Sequence, residues 1–265
     1  MSKCKFISFS SGSAGNCYFL KSGATGKGLV IDAGVSLRRL KKHLADIGES
    51  FESVSAVLVT HDHLDHIRHL GSYCAKLGKP VYLTSTLLGA LRNHTFTKFS
   101  IDKCAVELKS AGFTDVAGFN VVAFVVPHDA TETVGYYIES PADGLRYTHM
   151  TDLGSLTPEA YVYCRKSSTV VIESNYDTQM LFKGPYPYEL KMRISTGHGH
   201  LSNDRCAEAL EKILHEGLRN VFLCHLSENN NTPRLAYDSA SEVIDVTKIR
   251  LAALPRRTPS QLFEI

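Results

Sequence analysis

The run Thr60-His61-Asp62-His63-Leu64-Asp65-His66 follows directly on Ala56-Val57-Leu58-Val59. The apolar stretch reads as a strand buried on both faces of a sheet. The six residues from His61 to His66 then carry three imidazoles and two carboxylates. Such groups are costly to bury unpaired, so the chain must deliver them to a sheet edge where something can bind them. One ion cannot use them all from so short a segment, but two adjacent ions can. His61 and His63 can turn toward one, Asp65 and His66 toward its neighbour. Mixed imidazole and carboxylate donors suit Zn²⁺, Mn²⁺ or Fe²⁺ better than Ca²⁺ or Mg²⁺. Two ions about 3.5–4 Å apart can share a bridging hydroxide and clamp an in-line displacement.

The same pattern recurs along the chain. Asp32 follows Leu29-Val30-Ile31, His128 follows Val125-Val126-Pro127, Asp152 follows the strand through Tyr147, and His225 follows Phe222-Leu223-Cys224. Strand ends hold side chains rigidly while the loops beyond leave room for substrate. With the central run, these ends predict one site at one edge of a sheet. His128 and His225 can supply the third protein ligand that each ion needs beside an open position. Asp152 reads either as a turn or cap residue or as a bridge between the ions.

Between these ends, strands and helices alternate. Phe6 to Phe9, Cys17 to Leu20 and Leu29 to Asp32 read as an antiparallel meander. Leu37, Leu40, Leu44 and Ile47 recur at helical spacing before Gly48. His66 to Leu77 reads as a helix stopped by Gly78, and Thr84 to His94 as another. Strands are expected at Pro80–Leu83, Val106–Leu108, Phe119–Val126, Val134–Glu139, Leu145–Thr148 and Thr169–Ile172. An amphipathic helix spans Asn203 to Leu214, and Asn220 to Cys224 reads as a last core strand. No long linker or repeat interrupts the order, which predicts one α/β domain over residues 1–265.

The 265 residues can bury about 70–75% of the unfolded chain's surface, so the core needs no disulfide staples. Seven cysteines, an odd number without a Cys-x-x-Cys pair, read as reduced, mostly buried thiols of a cytoplasmic protein. Residues 1–6 hold no apolar signal segment, and no apolar run approaches a membrane span. A net charge of +2 neither announces nor excludes a nucleic-acid substrate.

His-x-His-x-Asp-His after a strand resembles the metallo-β-lactamase superfamily, and Asp32, His128, Asp152 and His225 match its remaining motifs in order. The resemblance implies an αββα sandwich of two mixed sheets flanked by helices. It also implies that His61, His63 and His128 hold one metal, that Asp65, His66 and His225 hold the second, that Asp152 bridges, and that Asp32 anchors the His loop from behind. Ser10-Ser11-Gly12-Ser13-Ala14-Gly15-Asn16-Cys17, His128-Asp129-Ala130, Glu173-Ser174-Asn175, Gly199-His200-Leu201-Ser202-Asn203 and His225-Leu226-Ser227 look like the YycJ/WalJ branch. That branch implies a DNA exonuclease acting 5′ to 3′ on duplex DNA. Tyr176 stands where the branch pattern leads one to expect histidine, and no role is assigned to it.

The expectation is therefore a dinuclear hydrolase with zinc or manganese, iron also being compatible. Its metal-bridging hydroxide would attack a phosphodiester, with Asp65 and His200 as catalytic residues. Two divalent ions, Asp65, Asp152 and a hydroxide sum to about +1, which favours an anionic substrate. His200, with His198 as competitor, is expected in an exposed turn, binding phosphate or giving a proton to the leaving oxygen. The Gly12–Asn16 turn reads either as an anion nest or as a tight hairpin turn that needs glycine. Lys183, Lys191 and Arg193 flank the segment leading to His200, with Arg165 and Lys166 not far in sequence, and slightly favour an open basic groove for DNA. The competing reading, a hydrolase of small thioesters, lactones or cyclic phosphodiesters, predicts a closed apolar pocket instead. A metal-holding module without hydrolysis is the third. His43, His69, His94 and His215 are expected on the surface, and His149 near Asp152 but not a ligand.

Overall fold

The computed structural model describes residues 3–265. Its first sheet is built from β1 (Lys5–Ser10), β2 (Cys17–Lys21), β3 (Gly28–Ile31), β4 (Val54–Leu58), β5 (Val81–Leu83) and β6 (Ala105–Glu107). The second contains β7 (Thr114–Val116), β8 (Phe119–Val126), β9 (Thr133–Ser140), β10 (Leu145–His149), β11 (Thr169–Glu173), β12 (Asn220–Cys224) and β13 (Arg250–Ala253). A short β14 (Phe263–Glu264) returns to pair with β1. The meander β1–β3 is antiparallel, as expected, and β3 to β6 run parallel. Beyond Asn220–Cys224, which is buried throughout, two edge strands follow that the sequence did not lead one to expect: β13 extends the second sheet and β14 the first.

Helices cover both outer faces. α1 (Leu37–Asp46), α2 (Leu64–Ile67), α3 (Leu70–Ser72) and α4 (Ser85–Asn93) lie with the first sheet. α5 (Pro158–Cys164) packs on the second sheet, while α6 (Thr178–Lys183) and α7 (Tyr188–Ser195) form an excursion between β11 and β12. α8 (Asn203–Ile213) and α9 (Pro233–Ser241) complete the second layer. Alternation along the strands decides which core each residue joins. Val57 and Val59 face the first helical layer, whereas Ala56 and Leu58 face the other sheet. Likewise Val221 and Leu223 face the helices, and Phe222 and Cys224 the space between the sheets. Both faces of the central strands are covered, which explains their unbroken apolar runs. The architecture is the expected αββα sandwich.

Strand direction gathers the functional ends. β3 and β4 are parallel neighbours, so their carboxyl ends share an edge. β10, β11 and β12 are parallel. β8 and β10 are both antiparallel to β9 and therefore also point the same way.

Three local expectations need correction. The helix expected over His66–Leu77 is broken into α2, α3 and a π-helical turn at Tyr73–Leu77, ending at Gly78 with φ 67°. Backbone bonds to the loop after β3 interrupt it: Ala33 N donates to the His66 carbonyl and His69 N to the Ala33 carbonyl. The cysteines are not all free. Cys74 and Cys104 form a disulfide, their Cα atoms 5.5 Å apart, because the π-helical turn packs against the turn leading into β6. The other five are buried and unpaired. His43 is buried and stacks on Phe9; His69, His94 and His215 are only partly exposed.

Phe222, fully buried between the sheets beside Phe6 and Phe263, tests this layering. Phe222→Ala should cost about 3–5 kcal/mol in urea denaturation. Val162→Ala, on the outer face of α5 at 48% exposure, should change stability by less than about 0.5 kcal/mol. Equal losses would contradict the inter-sheet core.

Candidate metal centre

Three of the residues at the shared edge have left-handed backbone: Asp32 at φ 64°, Asp152 at φ 54° and His225 at φ 52°. Each such residue costs on the order of 1 kcal/mol or more and persists only where its surroundings hold it. Asp32 N donates to the Leu58 carbonyl, and His225 N to Ser11 Oγ.

Asp32 is wholly buried, and among the described residues it has no cation other than an imidazole against it. Its Oδ1 accepts from Thr60 N at 2.8 Å, and its Oδ2 lies 2.7 Å from His66 Nδ1 and 2.9 Å from Thr60 Oγ1. It thus fixes the start of the His loop and directs His66 Nε2 into the site. Gly34 is required beside it, since a Cβ there would overlap the Asp65 carbonyl.

Donor atoms converge in overlapping groups, each spanning less than 4.8 Å. One is His61, His63 and His128; another is Asp65, His66 and His225. Asp152 lies between them, its Oδ2 2.9 Å from His66 Nε2 and its Oδ1 3.0 Å from His225 Nδ1. All seven residues expected at the site are therefore together. His128 Nδ1 faces the Gly199 carbonyl at 2.8 Å, so its Nε2 faces His63 Nδ1 at 3.3 Å. Asp62 turns away and accepts from Thr131.

A further group was not anticipated. Asp152, Glu173, His200 and His225 also converge. Glu173 Oε2 accepts Leu153 N and Leu201 N, while Oε1 sits 2.8 Å from His200 Nδ1 and 2.9 Å from His225 Nδ1. Glu173 ends an apolar strand just as His225 follows one, so the strand-end pattern contained the signal. His200 is not in a free turn: its side chain is 23% exposed and pinned by Glu173. His198 is exposed and lies outside the cavity lining. His149 is buried against Tyr147 and outside every donor group. The Gly12–Asn16 turn is largely committed internally. Asn16 Oδ1 accepts Gly12 N, and Asn16 Nδ2 lies 3.1 Å from Asp65 Oδ2 and 2.8 Å from His66 Nε2. Tyr176 is buried, and its carbonyl accepts Asn203 N.

The donor set fits divalent cations. Among the described residues, the ion pairs of Asp32, Asp65, Asp152 and Glu173 are all with imidazoles, none with Lys or Arg. His61 Nε2 and His225 Nε2 are buried without a hydrogen-bond partner, an expensive condition unless something binds them. Without metal, burial and the neighbouring His66 hold His61 well below its ordinary pKa. Burial opposes charge on His225 too, but Asp152, Asp65 and Glu173 overcome it and raise its pKa to about 10. His66 is likewise raised against its burial by Asp32, Asp65 and Asp152.

A cavity of about 240 Å³ opens beside these donors, lined by Ser13, His63, Asp129, Asn175, Tyr186, Leu190, Arg193, Ile194, Gly199, His200 and Ser227. Of the basic residues expected in a groove, only Arg193 reaches it, and it pairs with Asp129. Lys191 caps the carbonyls of Phe182 and Gly184, and Lys183 bonds Gln179. Arg165 and Lys166 precede β11 and so sit at the opposite end of that strand.

The profile of the Beta-lactamase superfamily domain matches residues 28–225. The chain is 31% identical over 234 residues to the exodeoxyribonuclease WalJ of Streptococcus pneumoniae, covering 88% of this chain and 85% of that protein. It is 30% identical over 244 residues to the exodeoxyribonuclease YycJ of Bacillus anthracis, covering 91% and 89%. Among solved structures, YhfI of Bacillus subtilis, described as a metallo-beta-lactamase fold protein, superposes with a TM-score of 0.72 at 15% identity. That match covers 99% of this chain and 100% of the other. The chain belongs to the beta-lactamase superfamily, in its YycJ/WalJ branch. It is a metal-dependent hydrolase.

Imidazoles must be neutral to bind metal, whereas His66 and His225 hold protons in the metal-free site. Their raised pKa values stabilise the metal-free fold below the ordinary imidazole range. For His225 that contribution fades as pH rises through about 10. Zn²⁺ uptake should therefore release protons, and affinity should climb between pH 6 and 8 by up to about tenfold per unit for each proton released. Calorimetry in buffers of different ionisation heat measures the release; identical heats in all of them would refute it. Asp32→Ala should weaken metal binding about 10- to 100-fold, measured by chelator competition.

Proposed function

We propose that the chain is a dinuclear metal-dependent phosphodiesterase, a DNA exonuclease working 5′ to 3′ on duplex DNA. The observation that carries the reading is the meeting of the His61/His63/His128 and Asp65/His66/His225 groups on Asp152 beside an open cavity. The exodeoxyribonuclease relatives supply the substrate class. One ion would be held by His61, His63 and His128, the other by Asp65, His66 and His225, with Asp152 touching both and Asp32 orienting His66. Zinc and manganese suit these donors, and iron is compatible. When bound, the ions would lower the pKa of a water and neutralise charge on a phosphate.

The chain's own side chains would do the rest. Glu173 fixes Nδ1 of His200, leaving Nε2 to give a proton to the leaving oxygen. Burial opposes that proton, but the Glu173 carboxylate outweighs it and raises the His200 pKa. Glu173 keeps its own charge through His200 and two backbone N–H donors. Ser13 and Ser227 offer donors to phosphate oxygens around the cavity. Polar side chains at an open mouth favour a polymer over the enclosed apolar pocket that a small thioester or lactone would need.

Purified protein with Mn²⁺ or Zn²⁺ should release nucleotides from duplex DNA labelled at the 5′ end before DNA labelled at the 3′ end. Asp65→Ala should release none. Equal release by both proteins, or none with any metal, would sink the nuclease reading. His200→Ala should lose about 100- to 10,000-fold on DNA. On an ester with a p-nitrophenol leaving group, which needs no proton, it should lose far less; equal losses would remove His200 as the acid.

A further inference from the structure

Arg193, the one Lys or Arg among the described residues that line the cavity, is committed to Asp129, so DNA longer than the cavity must be held elsewhere. We propose that a guanidinium rim of Arg38, Arg39, Arg68 and Arg257, on the first-sheet side of the site, docks the sugar–phosphate backbone of the duplex flanking the cleaved end. This rests on the nuclease reading above and assigns the surface that reading lacks.

Backbone geometry places the rim. The loop after β3 and the end of α2 are bonded through Ala33 N to the His66 carbonyl and His69 N to the Ala33 carbonyl. Arg68 caps α2, three residues after Asp65, and Arg38 and Arg39 open α1 from the other side of that junction. Burial chiefly depresses the pKa of His69, and the Arg68 and Arg39 charges add to it, as expected if both flank it. Arg39 Nη2 donates to the Arg257 carbonyl at 2.9 Å. The adjacent Arg256 carbonyl accepts Ser11 N, two residues before the cavity-lining Ser13. The rim therefore starts at the mouth of the site and leads away from it.

Two of these charges work against the helix that carries them. Arg38 and Arg39 lie in the first turn of α1, where the helix dipole disfavours cations, and that turn holds no acidic residue. Arg38 and Arg68 are exposed. Among the described residues neither they nor Arg39 forms an ion pair, and only Arg257 has one, with Glu228. Unneutralised guanidiniums beside a phosphodiester site fit a polyanion whose phosphates would displace counterions along the rim.

The test uses the Mn²⁺-loaded enzyme and a dumbbell duplex with closed ends, which an exonuclease cannot shorten, followed by fluorescence anisotropy against salt. The Arg38→Gln/Arg68→Gln variant should bind more weakly. Its slope of log affinity against log salt should be shallower by about 1.8, or 0.9 per lost phosphate contact. Its hydrolysis of bis(p-nitrophenyl) phosphate should equal wild type, and its melting temperature should change little, since both side chains are exposed. Arg165→Gln/Lys166→Gln, with the same charge change at the far end of β11, should bind as wild type does. If the wild type degrades linear duplex but Arg38→Gln/Arg68→Gln keeps its affinity and slope, the docking surface is overturned and the nuclease reading stands. Equal weakening by the remote variant also overturns the surface. A wild type that neither binds the dumbbell nor degrades linear duplex overturns both.

Discussion

A single buried carboxylate holds the site to the fold. Asp32 leaves β3 in a left-handed turn and takes up Thr60 N, Thr60 Oγ1 and His66 Nδ1. Through these bonds the end of one strand sets the position of the loop leaving its neighbour. The rest follows from that constraint: His66 presents Nε2 to Asp152, and the broken helix after it bonds back to Ala33 instead of continuing. A buried charge whose partners are two hydroxyl and amide donors and one imidazole tolerates little movement, because each lost bond leaves it less solvated.

The second sheet answers with its own chain of constraints. Glu173 receives two backbone N–H groups and shares its other oxygen between His200 and His225. His128 is oriented by the Gly199 carbonyl, one residue before His200. The two halves of the donor set are thus held by separate sheets, and their common point is Asp152. Close packing of Phe6, Tyr147 and Phe222 between the sheets fixes the separation at which those halves meet. In this fold core packing far from the site and donor geometry within it are parts of one arrangement.

Surface charge follows a different logic. The cavity is polar but almost without free cations, since Arg193 is matched to Asp129. The unmatched arginines lie on the β3–α2 side, against the dipole of α1. Such placement lowers stability slightly and is the kind of local inconsistency that marks function rather than folding.

How much was legible in the residues depended on the range of the interaction. Apolar runs fixed most strands, because burial on both faces demands them. The same runs, each ending in a polar donor, located Asp32, His61, His128, Asp152 and His225, and the resemblance ordered them into ligand groups. Glu173 carries the same signature at the end of β11. Pairings that join distant segments were not legible. The Cys74–Cys104 disulfide, the return of β14 to β1, and the break in the His66–Leu77 helix all depend on contacts between elements. So does the environment of His200, which looked like an exposed turn and lies against Glu173. The amino-acid sequence by itself determined which donors exist and which strand ends carry them, since periodicity and composition are local properties. Only the tertiary structure decided which donors share an oxygen, which arginines stay unpaired and where the cavity opens, because distances between segments are set by packing two sheets together.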